Sequence, residues 1–180
     1  MDLDTEIESA LARLRGARLV ATGRGADLQW FTFESDATYA LHVMCPWRLA
    51  GSGGLVTGRS DYWRPASPET PREDFERGAI GATLRDVRNR ELEGVLAAGV
   101  VTVESFAVDG LGGFTLVLSA GYRLDVFPDE SPAEHDDLEL WRLFQPGKGL
   151  RHFVVRSNGV ERGDDARGDG GEPAGLFRQS

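Results

Sequence analysis

One stretch of the sequence recurs further along the chain, and this repeat constrains the fold more than any other feature. When Gly16 is set over Gly99 and both stretches are read forward without gaps, nine of the 28 positions from Gly16 to Val43 are identical. Ordinary composition would give roughly two identities. The matches fall mainly on one face of the predicted strands, and a predicted helix ending in glycine precedes each copy. The sequence therefore predicts an internal duplication of a helix followed by strands.

The first predicted unit covers residues 1–61. Residues 3–15 carry apolar side chains at helical spacing, with Asp4 or Thr5 placed to cap the start and Gly16 to end the helix. Alternating apolar residues and glycine or proline turns then predict three strands at 17–22, 28–34 and 39–45. Residues 47–49, a glycine-rich turn at 51–54 and residues 55–59 suggest a fourth.

A proline-rich connector, residues 62–81, separates this unit from the second, residues 82–160. Thr83 and Asp86 have the spacing of a capping box, which predicts that a second helix begins here. Its predicted apolar stripe consists of Leu84, Val87, Leu92 and Val95. Residues 161–180 are rich in glycine and aspartate, and we expect them to form a disordered acidic tail.

The predicted fold is α+β. Two similar units, each a helix plus mostly antiparallel strands, would form a sandwich-like or barrel-like sheet with the two helices packed outside. The sequence leaves open whether the units build one sheet or two. Open sheet edges would also allow a homodimer.

Net charge narrows the choice of partner. The 180 residues include 29 acidic and 20 basic side chains, a formal net charge of −9. Such a surface repels phosphate backbones, which disfavours nucleic-acid binding and favours a basic protein partner. The sequence shows neither a secretion signal nor a membrane-spanning stretch, and its one cysteine excludes an internal disulfide. We therefore expect a cytoplasmic protein.

No motif in the sequence specifies a reaction, a metal or a cofactor. Cys45 and His42 are three apart on one predicted strand, so they point to opposite faces and cannot form a nucleophile–base pair; a buried, inert thiol is expected. Residues 134–137 could bind a cation weakly, but acidic loops are usually just solvated. The glycine-rich segments 51–54 and 110–113 lack the features of a phosphate loop and predict hairpin turns.

Candidate binding residues come from comparing the two copies. The sequence Trp-Arg-Leu occurs in both, which makes Arg48 and Arg142 candidates for contacts with a partner or ligand. Where the copies differ, Asp125 replaces His42 and Arg123 replaces Ala40. If the units pack about a pseudo-two-fold axis, His42, Arg123 and Asp125 would approach one another and form a polar cluster with a tunable imidazole.

The segment from Tyr39 to Leu49, with its Leu-His-Val-x-x-x-Trp-Arg core, resembles a family of small uncharacterised actinobacterial proteins. The resemblance extends to the second Trp-Arg-Leu-Phe at 141–144. It implies no catalytic residue and no cofactor. A looser likeness, in size and charge alone, is to acidic immunity proteins.

Together these features favour a non-enzymatic binding protein of immunity or accessory type that binds a basic protein partner. The alternative is a small-molecule-binding protein or an enzyme with its site between the two repeats. A deep pocket with convergent polar groups would favour the alternative, and a flat acidic face would favour the first hypothesis.

Overall fold

The computed structural model describes residues 2–131, 137–147 and 152–161, which form an α+β fold with one 11-stranded antiparallel sheet. The helices are α1 (Leu3–Leu11), α2 (Arg72–Glu76) and α3 (Leu84–Ala98). The strands are β1 (Arg18–Gly25), β2 (Leu28–Glu34), β3 (Thr38–Val43), β4 (Trp47–Gly51), β5 (Gly54–Gly58), β6 (Val101–Val108), β7 (Phe114–Leu118), β8 (Arg123–Val126), β9 (Glu139–Phe144), β10 (Phe153–Arg156) and β11 (Gly159–Glu161).

The strand order is β11-β10-β9-β3-β2-β1-β6-β7-β8-β4-β5. All the predicted strands of residues 1–61 are present, and the α+β class is confirmed. Two pairings were not anticipated, since β3 pairs with β9 and β4 pairs with β8. Each of these pairings joins a strand of residues 1–61 to a strand of residues 82–160, so both units contribute to one sheet.

A single apolar core is built from alternating strand residues and from α1. The strands contribute one face each, for example Leu41 and Val43 of β3 and Leu124 and Val126 of β8. From α1 and the turn that follows it, Ile7, Leu11 and Leu14 are fully buried in the same cluster. The largest side chains in the core are Trp47 and Trp141, the two tryptophans of the repeated Trp-Arg-Leu.

The first helix is shorter than predicted and is capped one turn earlier. The α-helix ends at Leu11 and continues as a 3-10 turn over Ala12–Leu14. Asp2, and not Asp4 or Thr5, is the N-cap, because its carboxylate accepts a 2.8 Å hydrogen bond from the Thr5 backbone N–H. Gly16 ends the segment with φ of +76°, a left-handed conformation that favours glycine.

The capping box of α3 is confirmed, but the predicted apolar stripe is wrong. Thr83 and Asp86 each accept a hydrogen bond from the other's backbone N–H. Of the predicted stripe only Leu92 is buried, and Val95 is largely exposed. The buried face is instead polar, since it contains Arg85, Asp86 and Asn89. Helical periodicity failed here because α3 packs on polar side chains of β1 and β2, where burial is offset by hydrogen bonds.

Both glycine-rich segments are hairpin turns, as predicted, between β4 and β5 and between β6 and β7. In the second, Asp109 Oδ1 accepts hydrogen bonds of 2.8 Å from the backbone N–H groups of Leu111 and Gly113. The predicted tail lies outside the described residues, apart from Glu161, which ends β11.

Candidate functional site

Three of the five predicted binding residues meet in one group, which we call the Asp125 cluster: Asp125, Arg48, Arg123 and Thr115. Asp125 Oδ2 accepts hydrogen bonds from Arg48 Nε at 2.9 Å and from Arg123 Nε at 3.1 Å, while Oδ1 accepts one from Thr115 Oγ1 at 2.9 Å. Burial raises the pKa of Asp125, but these three hydrogen bonds outweigh it and hold the pKa below its usual range. The carboxylate is therefore ionised and fully occupied by its neighbours.

The other two, His42 and Arg142, lie side by side in the pairing of β3 with β9. Arg142 forms an ion pair with Glu139. The ring of Phe144 lies 4.8 Å from that of His42, edge to face, and 4.3 Å from that of His152, stacked. Burial, followed by the charge of Arg142, lowers the pKa of His42, so its imidazole is neutral at pH 7.

The expected cluster of His42, Arg123 and Asp125 is not formed. In the sheet order β2, β1, β6 and β7 lie between β3, which carries His42, and β8, which carries Asp125. Both side chains lie on the face opposite the core residues of their own strands. The prediction failed because it placed His42 and Asp125 together, whereas each of them pairs across the sheet with the arginine of a Trp-Arg-Leu: Asp125 faces Arg48, and His42 faces Arg142.

A buried polar network at the start of α3 escaped prediction. Arg24 of β1 donates to both carboxylate oxygens of Asp86, at 2.6 and 2.8 Å, and to the backbone carbonyls of Ala26, Gly78 and Ala79. Arg24 and Arg85 both lie over the ring of Tyr62, at 5.1 and 4.8 Å from its centroid. The capping box was the only sequence signal at this place. The hydrogen bonds from Arg24 to Gly78 and Ala79 link the connector to strand β1.

A cleft of about 540 Å³ opens beside the Asp125 cluster. Residues 46–63 supply most of its lining, and Phe127 and Asp129, which follow β8, supply the rest. Three of its apolar side chains are exposed, namely Leu55 (68%), Trp63 (66%) and Phe127 (39%). Arg48, Arg59 and Asp61 add charge. The cleft thus combines apolar and charged groups, as ligand and partner sites do.

Two residues that line this cleft carry a buried donor without an acceptor among the described residues. The donors are Nε1 of Trp47 and Nε of Arg59. The tryptophan of the other Trp-Arg-Leu is satisfied, because Trp141 Nε1 donates to the Gly112 carbonyl at 2.7 Å. An unpaired buried donor is uncommon in folded proteins and requires an explanation.

Four carboxylates lie on the β6–β7 hairpin or on segments that approach it, in a group that we call the acidic end: the half-buried Asp4 and the exposed Asp109, Asp129 and Glu130. A Cβ at Gly110 would lie 3.7 Å from Asp4 Oδ2, and one at Gly113 would lie 2.9 Å from Pro128, which precedes Asp129. None of the four carboxylates forms an ion pair within the described residues. Leu111, at the hairpin tip, is 76% exposed.

Cys45 is buried, as predicted, and burial raises the pKa of its thiol to about 12. The described part of the chain contains no group of three or more metal-ligating side chains, and residues 134–136 of the proposed weak cation loop lie outside it. No helix in the described ranges is long and apolar enough to span a membrane.

Comparison of the chain with models of protein families, with curated proteins and with solved structures finds no match.

Proposed function

We propose that this protein is a non-enzymatic binding protein, of immunity or accessory type, whose partner is a basic protein. The observation that carries the proposal is the acidic end, whose four carboxylates form no ion pair within the described residues and whose hairpin tip exposes Leu111. Six of the 29 acidic and five of the 20 basic residues lie outside the described ranges, which leaves 23 acidic against 15 basic residues in the folded part. The acidic excess therefore belongs to the folded part and not only to the tail.

The arrangement of the arginines supports the same proposal. Ten of the described arginines form ion pairs with carboxylates of the chain, so much of the positive charge is neutralised locally. At the acidic end the carboxylates have no such partner among the residues that the structure describes. A basic protein approaching this surface is attracted and oriented by it, and Leu111 at the hairpin tip offers an apolar contact.

The test is capture of a partner from an extract of the source cells on the immobilised full chain. We expect a basic protein that is retained at about 0.05 M salt and released by about 0.5 M, because screening shortens the range of surface electrostatics. With the captured protein purified, the triple variant Asp4→Asn, Asp129→Asn, Glu130→Gln is expected to bind at least about tenfold more weakly.

A matched control changes the net charge equally at other exposed sites, Asp36→Asn, Glu69→Gln and Glu93→Gln, and should bind like the wild type. The proposal fails if the two triple variants bind alike. It also fails if no protein is retained while a small molecule raises the melting temperature of the chain.

The duplication is part of the proposal, and the strand order supports it. Outward from the β1–β6 pair, the sheet runs β2, β3, β9, β10 on one side and β7, β8, β4, β5 on the other. If β1 to β5 correspond to β6 to β10, the two sides are equivalent, with the fourth and fifth strands exchanged between the copies.

Strand register supports the duplication independently. Trp47 pairs with Val126 and Trp141 pairs with Val43, so each Trp-Arg-Leu meets the third strand of the other copy at the equivalent position. A β-bulge follows Leu19 in β1 and Val103 in β6. The equivalent register of the two exchanged strands supports the duplication, and the two bulges lie within one residue of equivalent positions.

A two-layer, sandwich-like arrangement of the sheet is also proposed. The ring centroids of Phe31 on β2 and Trp47 on β4 are 5.5 Å apart, and those of Phe114 on β7 and Trp141 on β9 are 4.8 Å apart. Four strands separate the members of each pair in the sheet order, roughly 24 Å in a flat sheet. These contacts support a sheet that folds over so that its two halves face each other. Homodimerisation, through the edge strands β5 or β11, remains a proposal as well.

A further inference from the structure

We propose that the cleft between residues 46–63 and Phe127 binds a small organic acid, a carboxylate attached to an aromatic or branched aliphatic body. Trp47 and Arg59 would donate hydrogen bonds to the carboxylate, and Leu55, Trp63 and Phe127 would contact the body. The cleft shares Asp129 with the acidic end, but this inference rests on Trp47 and Arg59 and not on a docked protein.

The unpaired donors carry the inference. Trp47 lines the cleft and is only 2% exposed, and its indole N–H is buried without an acceptor among the described residues. Arg59 also lines the cleft, and its Nε is likewise buried and unpaired there. We call these two residues the floor of the cleft. Two donors without acceptors beneath one cleft match a ligand that brings acceptor oxygens and no donor, as a carboxylate does.

The second copy shows that the fold can satisfy such an indole from within. Trp141 pairs with β3 as Trp47 pairs with β8, and its N–H donates to the Gly112 carbonyl at the tip of the β6–β7 hairpin. The corresponding hairpin between β1 and β2 is shorter, and its Asp27 carbonyl accepts from Arg85 instead. Trp47 is therefore left without the acceptor that Trp141 has.

Charge also favours an anion at the floor. Arg48 is paired with Asp125 at 2.9 Å, whereas the nearest carboxylate to Arg59 is Asp27, at 3.5 Å. Of the two carboxylates that line the cleft, Asp61 accepts a hydrogen bond from Thr57 and Asp129 is exposed, and neither forms an ion pair with Arg59. The charge of Arg59 is therefore less neutralised than that of Arg48, the other arginine of the cleft.

The dimensions suit a molecule of this size. Ligand sites usually enclose roughly 300–1,000 Å³ and are mainly apolar, with a few polar groups that fix orientation. A cleft of about 540 Å³ bounded by Trp63, Leu55 and Phe127 fits that description.

The test uses the indole N–H signals in the NMR spectrum of the ¹⁵N-labelled full chain, which has four tryptophans. Four acids serve as probes at millimolar concentration: benzoate, phenylacetate, indole-3-acetate and 4-methylpentanoate. The neutral amide of each acid and the cation phenethylamine are the matched controls. We expect at least one acid to shift the Trp47 signal strongly and the Trp141 signal little, with the amide much weaker.

Variants then locate the anion. Arg59→Gln should weaken binding of the active acid about tenfold, because a charge-assisted hydrogen bond is lost. Arg123→Gln is the control, since it removes the same charge from an arginine that pairs with Asp125 and does not line the cleft. Trp47→Phe tests the indole donor. If this variant does not fold, the comparison of Arg59→Gln with Arg123→Gln still tests the proposal.

The proposal is overturned if no acid moves the Trp47 signal, if the amides bind as well as the acids, or if phenethylamine binds instead. Equal affinity of Arg59→Gln and Arg123→Gln would overturn it too.

Discussion

Removing the charge of Asp86 should destabilise the fold strongly, because Asp86 is the counter-charge of a buried arginine. Asp86 and Arg24 are 7% and 1% exposed at their side chains and form a two-pronged ion pair. Asp86→Asn preserves shape but leaves the Arg24 guanidinium buried without a counter-charge. Breaking a buried pair in this way costs about 3–5 kcal/mol, and water screens little of it at this burial. That is a large fraction of the roughly 5–15 kcal/mol that stabilises a typical domain.

The assay is urea denaturation followed by tryptophan fluorescence, with the slope m compared between variants so that a change in midpoint reports stability. Glu91→Gln is the matched control, because it breaks the exposed pair of Arg88 and Glu91 and should cost less than about 0.5 kcal/mol. A double-mutant cycle with Arg24→Met should give a coupling of at least about 1.5 kcal/mol. A loss below about 1 kcal/mol for Asp86→Asn, at unchanged m, would refute the reasoning.

Three further predictions follow from the same structure. Burial raises the pKa of Asp86, but hydrogen bonds from Arg24 and Thr83 outweigh it and hold the pKa below its ordinary value of 3.8. The stability advantage of the wild type over Asp86→Asn should therefore persist from pH 7 to about pH 5 and shrink as the pH falls below about 4. An advantage that grows in acid would contradict this. Trp141→Phe leaves the Gly112 carbonyl unpaired, whereas Trp47→Phe breaks no hydrogen bond. In urea denaturation, Trp141→Phe should therefore lower the free energy of unfolding by about 1 kcal/mol more than Trp47→Phe does. Equal decreases would mean that Trp47 has an acceptor. Burial raises the pKa of the Cys45 thiol to about 12, so a disulfide reagent at pH 8 should label the denatured chain quickly and the native chain hardly at all. Fast labelling of the native chain would show that the thiol is accessible.

Local features of the fold could be predicted from the sequence. The capping box of Thr83 and Asp86, the alternation that buries Leu41 and Val43, and the hairpin turns at 51–54 and 110–113 all depend on residues close together in the chain. Short-range chemistry decides such features, so the residue types and their spacing are enough. The burial of Cys45 belongs to the same class, because the alternation of its strand already places it on the core face.

Only the tertiary structure determined which side chains become neighbours across the sheet. The sequence marked His42, Asp125, Arg48 and Arg142 but not their pairing, because β4 and β9 each join the other half of the sheet. Periodicity likewise predicted an apolar face for α3 where the structure buries Asp86 against Arg24, 62 residues away. Such contacts depend on long-range pairing energy, which composition and periodicity do not encode. The repeat that dominates the sequence therefore indicated which strands exist, while the order in which they pair determined where each charge lies.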